Sequence, residues 1–138
     1  MALRFFSEGL SFKLDHPRKT ASWLKKAIEC EKGQVGNLNY IFCTDKYLHQ
    51  INSEYLRHDD FTDVVTFDYS DGKDISGDIF ISVDRVRENA GKFDESFDRE
   101  LHRVLIHGVL HLLGYKDKKP AAKAQMRKKE EAYLSLRQ

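Results

Sequence analysis

The feature that most constrains the fold of this 138-residue chain is the stretch that follows Asp98, where Leu101, Val104, Leu105, Val109, Leu110 and Leu112 recur at helical spacing. Apolar residues surround most of the circumference of such a helix, so it belongs at the centre of a core and not on its surface. Gly114 is expected to end it, because glycine is the usual residue just past a helix C-terminus. The chain is near the modal size of one domain and long enough to cover that helix without disulfide or metal staples. With 41% hydrophobic and 33% charged residues, it reads as a soluble folded protein, one domain over residues 1–138.

The remaining elements follow from local signals. Pro17, ahead of Thr20-Ala-Ser-Trp-Leu-Lys-Lys-Ala-Ile-Glu29, opens a helix that should stop near Gly33. Asn39-Tyr-Ile-Phe-Cys-Thr44 is strand-like, and Asp45 is expected to cap a helix running through Leu48, Ile51 and Tyr55. Val64-Val-Thr-Phe-Asp-Tyr69 and Ile75-Ser-Gly-Asp-Ile-Phe-Ile-Ser82 predict two strands of a hairpin, joined by the turn-forming Ser70-Asp-Gly-Lys-Asp74. Asp84 is expected to cap a helix to about Lys92, Asp98 to cap the apolar helix, and a charged helix from Ala121 to Leu136 closes the chain.

The opening Met1-Ala-Leu-Arg-Phe-Phe-Ser-Glu8 has no apolar run of signal-peptide length, and nothing later approaches the ~20 apolar residues of a membrane span, so a cytosolic protein without a membrane partner is expected. Cys30 and Cys43 form no CxxC pair and read as ordinary buried thiols. The net charge of +1 conceals an asymmetry: residues 116–138 hold eight Lys/Arg against three Asp/Glu, whereas residues 1–115 hold 15 against 19. A basic segment beside an acidic body is a foothold for phosphates, or simply the solvated face of a terminal helix.

Inside the apolar helix the sequence runs His107-Gly-Val-Leu-His111 and continues to Gly114 and Asp117. Side chains four apart share a helical face, so the two imidazoles can each aim a nitrogen at one ion. Gly114 lets the backbone turn back and bring Asp117 round as a third ligand, leaving a fourth position for water as in catalytic zinc sites. The bland alternative is two core histidines satisfied by hydrogen bonds, but burying two imidazoles in so apolar a helix is costly unless something binds their lone pairs. Peptidases of the HExxH type carry a glutamate where this chain has Gly108, which counts against peptide hydrolysis and leaves any acid or base to come from elsewhere. His102 lies about 140° round the helix from His107 and is not expected to face the same ion. Tyr115 is placed to donate a hydrogen bond beside the site.

The run from His107 to Tyr115, with a ligand-type residue at 117, resembles the signature H-G-x-L-H-L-x-G-Y-D-H of the YbeY family of bacterial endoribonucleases. Ile51-Asn-Ser-Glu-Tyr55, Thr62-Asp-Val-Val-Thr-Phe67 and Gly77-Asp-Ile-Phe-Ile81 resemble that family's LNxxYR, PTDVLSF and GDI segments in the same order. The resemblance implies a compact α+β domain, a small mixed β-sheet packed with helices, and a zincin-like metal site on the central buried helix. It also implies a metal, usually zinc, at one per chain, with another divalent transition metal as the alternative. The activity implied is single-strand-specific cleavage of RNA in ribosomal RNA maturation and ribosome quality control, with ribosomal RNA and the ribosome as partners.

Carried over residue by residue, His107 and His111 take two metal-ligand positions, and Asp117 stands where the family has a third histidine. A carboxylate there adds negative charge to the donor set and makes harder ions such as manganese more competitive. The family arginine after Tyr55 is Leu56 here, and the nearest cations are Arg57 and His58. Arg57 is the candidate to serve one position further along, completing a catalytic set with His107 and His111. Arg57, His58 and the tail residues Lys123 and Lys128 are the candidate RNA contacts. The family proline before Thr62 is Phe61, whose ring could stack on a base or pack in the core. Asp63 and Asp78 belong to matched segments, either as functional groups or as fixers of turns and strand ends. Attack by metal-bound water or by the RNA 2′-hydroxyl both stay open. So do two rival readings, a metallohydrolase of peptides or small molecules and a non-catalytic ribosome-assembly factor with a structural metal.

Overall fold

The computed structural model describes residues 2–55 and 62–137, so Leu56, Arg57, His58 and Phe61 lie outside the described residues. Its elements in chain order are β1 (Ala2–Glu8), α1 (Pro17–Cys30), β2 (Gln34–Cys43), α2 (Asp45–Tyr55), β3 (Val64–Asp68), β4 (Asp74–Ser82), α3 (Val83–Lys92), α4 (Phe97–Leu112) and α5 (Pro120–Ser135). The four strands form one mixed sheet in the order β1-β2-β4-β3, with β1 and β2 parallel, β2 and β4 parallel, and β3 antiparallel to β4. This is an α+β fold, and the expected hairpin is the β3–β4 pair. Among the described residues no helix is long and apolar enough to cross a membrane.

Strand alternation divides the core. Leu38, Tyr40 and Phe42 of β2 and Ile75, Ile79 and Ile81 of β4 point to one face, where they meet α1, α4 and α5. On the opposite face a smaller cluster of Cys43, Leu48, Ile51 and Val65 seats α2. The apolar helix α4 is central as expected, with Leu105, Ile106, Val109 and Leu110 fully buried. The Tyr40 hydroxyl donates to the Leu105 carbonyl at 2.7 Å, a polar tie between sheet and helix inside the apolar layer.

Three expectations about helix starts shift in the same way. Ser82 and Ser96 cap α3 and α4 by accepting from Arg85 N and Arg99 N, both at 3.1 Å, and Thr44 Oγ1 accepts from Tyr47 N at 3.1 Å at the start of α2. Asp45, Asp84 and Asp98 instead occupy the first turns, where a carboxylate faces the positive end of the helix dipole. Cys30 also departs from expectation: it is exposed, because it lies at the outer end of α1, whereas Cys43 is buried. Strand β1, which carries no strong alternation in sequence, is held at the sheet edge by its pairing with β2 from Ala2–Asn37 to Glu8–Cys43.

Gly108 is where α4 touches the sheet. A Cβ there would come 2.9 Å from Cγ2 of Ile79, closer than van der Waals contact allows. The position that holds the base in HExxH peptidases is therefore a packing contact in this fold, with no room for a glutamate. Gly108→Val should lower stability in urea unfolding by about 1–3 kcal/mol through overpacking. Gly91→Ala, in α3 with nothing within 4 Å of its Cβ, should raise it by about 0.5–1 kcal/mol.

Candidate metal centre

Helix α4 carries a polar stripe along an otherwise apolar cylinder: Glu100, Arg103, His107 and His111 follow one another at steps of three or four. The two imidazoles stand edge to face, with ring centroids 4.6 Å apart. Past Leu113 the helix ends in a Schellman arrangement, with Tyr115 N bonded to the Leu110 carbonyl and Gly114 N to the His111 carbonyl, both at 3.0 Å. Gly114 takes φ 105°, a backbone state that side-chain-bearing residues rarely adopt. That reversal returns the chain over the last turn, and Asp117 Oδ2 arrives 3.3 Å from His107 Nε2 and 3.2 Å from His111 Nε2. The three donor atoms lie within 4.8 Å of one another.

These atoms fit a bound cation better than one another. His107 Nδ1 lies 2.6 Å from Glu130 Oε2, so in the neutral ring the hydrogen is on Nδ1 and the Nε2 lone pair faces the Asp117 oxygen. Lone pair against carboxylate is repulsive unless a proton or a metal ion lies between them. Ligands about 2.0–2.2 Å from a tetrahedral ion are about 3.3–3.6 Å apart, close to the separations found here. Burial opposes protonation of His107, but the Glu130 hydrogen bond and the charges of Glu130, Asp63 and Asp117 outweigh it and hold its pKa above the ordinary value. Burial and the neighbouring His107 push His111 the other way.

Behind the donors lies a buried ionic chain. Glu130, on α5 and only 4% exposed, is reached by Arg103 Nη1 at 3.5 Å. Arg103 also pairs with Glu131 at 2.8 Å and with Glu100 at 3.4 Å. A carboxyl group on the far nitrogen of a ligating histidine fixes its tautomer and ring orientation. Tyr115 anchors the returning loop: its hydroxyl donates to Glu31 Oε1 at 2.6 Å, while Lys129 Nζ at 2.9 Å and the Tyr133 hydroxyl donate to Glu31 Oε2. Burial works against ionisation of Glu31, but these hydrogen bonds prevail and its pKa is lowered.

Two depressions meet at the donors. One, of about 410 Å³, runs past Asp63, Glu100 and Arg103 to Asn89 and Phe93. The other, of about 420 Å³, follows α5 past Lys123, Met126 and Arg127. The structure thus brings together His107, His111 and Asp117, sets Asp63 in the first cleft and Lys123 in the second, and leaves Lys128 exposed on α5. Arg57 and His58 fall outside the described residues. Asp78 belongs to the sheet, accepting from Asn39 Nδ2 at 3.1 Å, and His102 packs against Trp23 with centroids 5.7 Å apart, away from the donors. Sequence reasoning missed Glu130, Arg103, Glu31 and Phe93. For Glu130 a signal existed: it shares the buried stripe of α5 with Met126, Tyr133 and Leu134.

Fold and donor set define a class first: an α+β protein whose buried central helix and the loop after it offer a three-donor metal centre. The family model described as Endoribonuclease YbeY matches residues 10–137, and the chain belongs to that family. Relatives called Endoribonuclease YbeY include one from Christiangramia forsetii, 48% identical over 134 residues, covering 97% of this chain and 93% of that protein. Another, from Flavobacterium johnsoniae, is 50% identical over 131 residues, covering 95% of this chain and 94% of its own. The solution structure of TM1509 from Thermotoga maritima superposes with a TM-score of 0.68 at 28% identity, covering 99% of this chain and 89% of that one.

Glu130→Gln should weaken zinc binding about 10–100-fold, measured by competition with a chromophoric chelator, because the amide no longer fixes the His107 ring as the carboxylate does. His102 yields a pH dependence. Burial, then the Arg137 charge, depress its pKa to about 4, below the about 6.5 of an unfolded histidine. The stability that its neutral ring contributes is present above pH 6.5 and is lost as the pH falls through 4. In urea unfolding with chelator present, wild type should lose more stability than His102→Gln between about pH 7 and pH 4.

Proposed function

We propose that this chain is a metal-dependent endoribonuclease, one cytosolic domain over residues 1–138, that cuts single-stranded RNA in ribosomal RNA maturation and ribosome quality control. The observation that carries the reading is the convergence of His107 Nε2, His111 Nε2 and Asp117 Oδ2 where two clefts meet, in a chain whose relatives bear the name endoribonuclease. These three side chains would hold one divalent transition ion, zinc first, with manganese competitive because one donor is a carboxylate. Such an ion supplies Lewis acidity, polarising a phosphoryl oxygen and acidifying water.

The chain's own side chains do the rest. Glu130 keeps the His107 hydrogen on Nδ1, so Nε2 stays a donor. Asp63 lines the cleft, and burial raises its carboxyl pKa despite the opposing charge of His107, the direction that makes a carboxylate a stronger acceptor for a proton from the attacking oxygen. Lys123 and Arg127 line the groove along α5 and would hold the phosphate backbone, with Arg57 and His58 as further candidates and Lys128 adding only to the long-range field. Gly108 packed on Ile79 leaves peptide hydrolysis without its usual base.

Single-turnover cleavage of a single-stranded RNA, before and after chelation, tests this directly. Activity should disappear with chelator and return with zinc or manganese. Asp63→Asn should slow cleavage about 10²–10⁴-fold while metal content stays at one per chain. Lys123→Gln should reduce the salt slope of RNA binding by about one. Hydrolysis of casein with no RNA cleavage would overturn the proposal.

A further inference from the structure

Among the described residues the large apolar side chains most exposed to water are Phe6, Tyr69, Phe93 and Leu136. Of these four, Phe93 is the one that lines the cleft holding His107, His111 and Asp117. It caps the C-terminus of α3, its backbone N bonded to the Asn89 carbonyl at 2.9 Å, and it is 54% exposed. Phe97, four residues on, shows what a packed ring looks like here: Phe12 lies 6.0 Å from it and the Arg87 guanidinium 5.1 Å over its face. Phe93 has no such ring partner among the described residues. Asn89, one turn earlier on α3, lines the same cleft, and its side-chain amide has no hydrogen-bond partner among the described residues.

A flat apolar face beside a free amide, which offers a donor and an acceptor, is the chemistry that receives a nucleobase. The walls say which part of a nucleotide enters. Asp63, Glu100 and Arg103 line only the Phe93 cleft and Lys123 only the groove along α5, while Asp117, Glu130 and Arg127 border both. Four carboxylates thus face two guanidiniums in the Phe93 cleft, whereas along α5 two carboxylates face two cations, so a phosphate chain is disfavoured on the Phe93 side relative to the other and the uncharged base is the part that fits there. The cleft, about 410 Å³, is within the range of sites that enclose a small molecule.

We propose that Phe93 and Asn89 form a base-binding subsite for a nucleotide flanking the cleaved phosphodiester, with the base stacked on Phe93 and its edge met by the Asn89 amide. The proposal rests on the reading of this chain as an RNA-cleaving enzyme.

The test is fluorescence anisotropy on the zinc-loaded full chain with two probes. One is a 2′-O-methyl phosphorothioate oligonucleotide, chosen to resist cleavage; the other is an abasic strand of the same length and linkage. Phe93→Ala and Phe93→Leu should each bind the base-bearing probe about 5–100-fold more weakly than wild type, the range that loss of one stacked base produces. Phe93→Tyr should bind it like wild type, and so should Tyr69→Ala, which removes an exposed ring outside the cleft. On the abasic probe all these proteins should bind alike. Asn89→Ala should narrow the difference in affinity between oligoadenylate and oligouridylate. If wild type binds the base-bearing probe and Phe93→Ala and Phe93→Leu bind it equally well, the subsite is wrong and the RNA reading stands. Equal losses on both probes would mean that Phe93 shapes the cleft without touching a base, which also overturns the subsite. If wild type binds neither probe, the RNA reading falls and the subsite with it.

Discussion

A helix at the centre of a core can carry imidazoles only if each polar atom along it is answered by another element, and the chain from Arg103 through Glu130 to His107 supplies that answer. Arg103 and Glu130 are 7% and 4% exposed, so neither finds its partner in water. Removing one member would strand a buried charge, which is why such groups are found together or not at all. The same contacts join α4 to α5 and orient the His107 ring. Core integrity and donor geometry are thus one problem with one solution, and the packing of Gly108 on Ile79 sets how closely the stripe-bearing helix approaches the sheet.

Local pattern carried much of the fold. The hairpin was legible because turn-forming residues separate two β-branched runs, and α4 because its apolar spacing admits no other element. His107, His111 and Asp117 were legible because helix geometry and a terminal glycine fix where three nearby residues go. What stayed hidden depends on distance along the chain or on competition between neighbours. Ser82 and Ser96 outcompete Asp84 and Asp98 as caps because their hydroxyls reach the N–H three residues on, while the acids, two residues further in, gain from the dipole within the first turn. Glu130 is separated from His107 by 23 residues, and only the α4–α5 packing makes them partners. Phe93 was invisible because a lone aromatic at a helix end reads the same whether it is packed or exposed.

The substitutions that set this chain apart from the family pattern differ in kind. Asp117 keeps a ligand-type atom at the position that Gly114 delivers, so it changes the charge of the donor set and leaves the backbone route intact. The residue at 56 instead removes a cation, while Arg127 lies at the junction of the two clefts with its side chain 61% exposed. A phosphate-binding role can pass between elements because it needs only charge within reach, whereas a ligand cannot leave its loop without losing coordination.

The knot at Glu31 ties together parts of the chain that are remote in sequence: the end of α1, the loop bearing Asp117, and Lys129 and Tyr133 of α5. Through Tyr115 the loop that bears Asp117 is therefore tied to both the first and the last helix, and the donor set is complete when those helices are docked. Binding that requires the folded state adds its free energy to folding. An ion held by these donors would therefore brace the docking of the first and last helices on the central one, so that loss of the ion would loosen the fold where the chain's two ends meet.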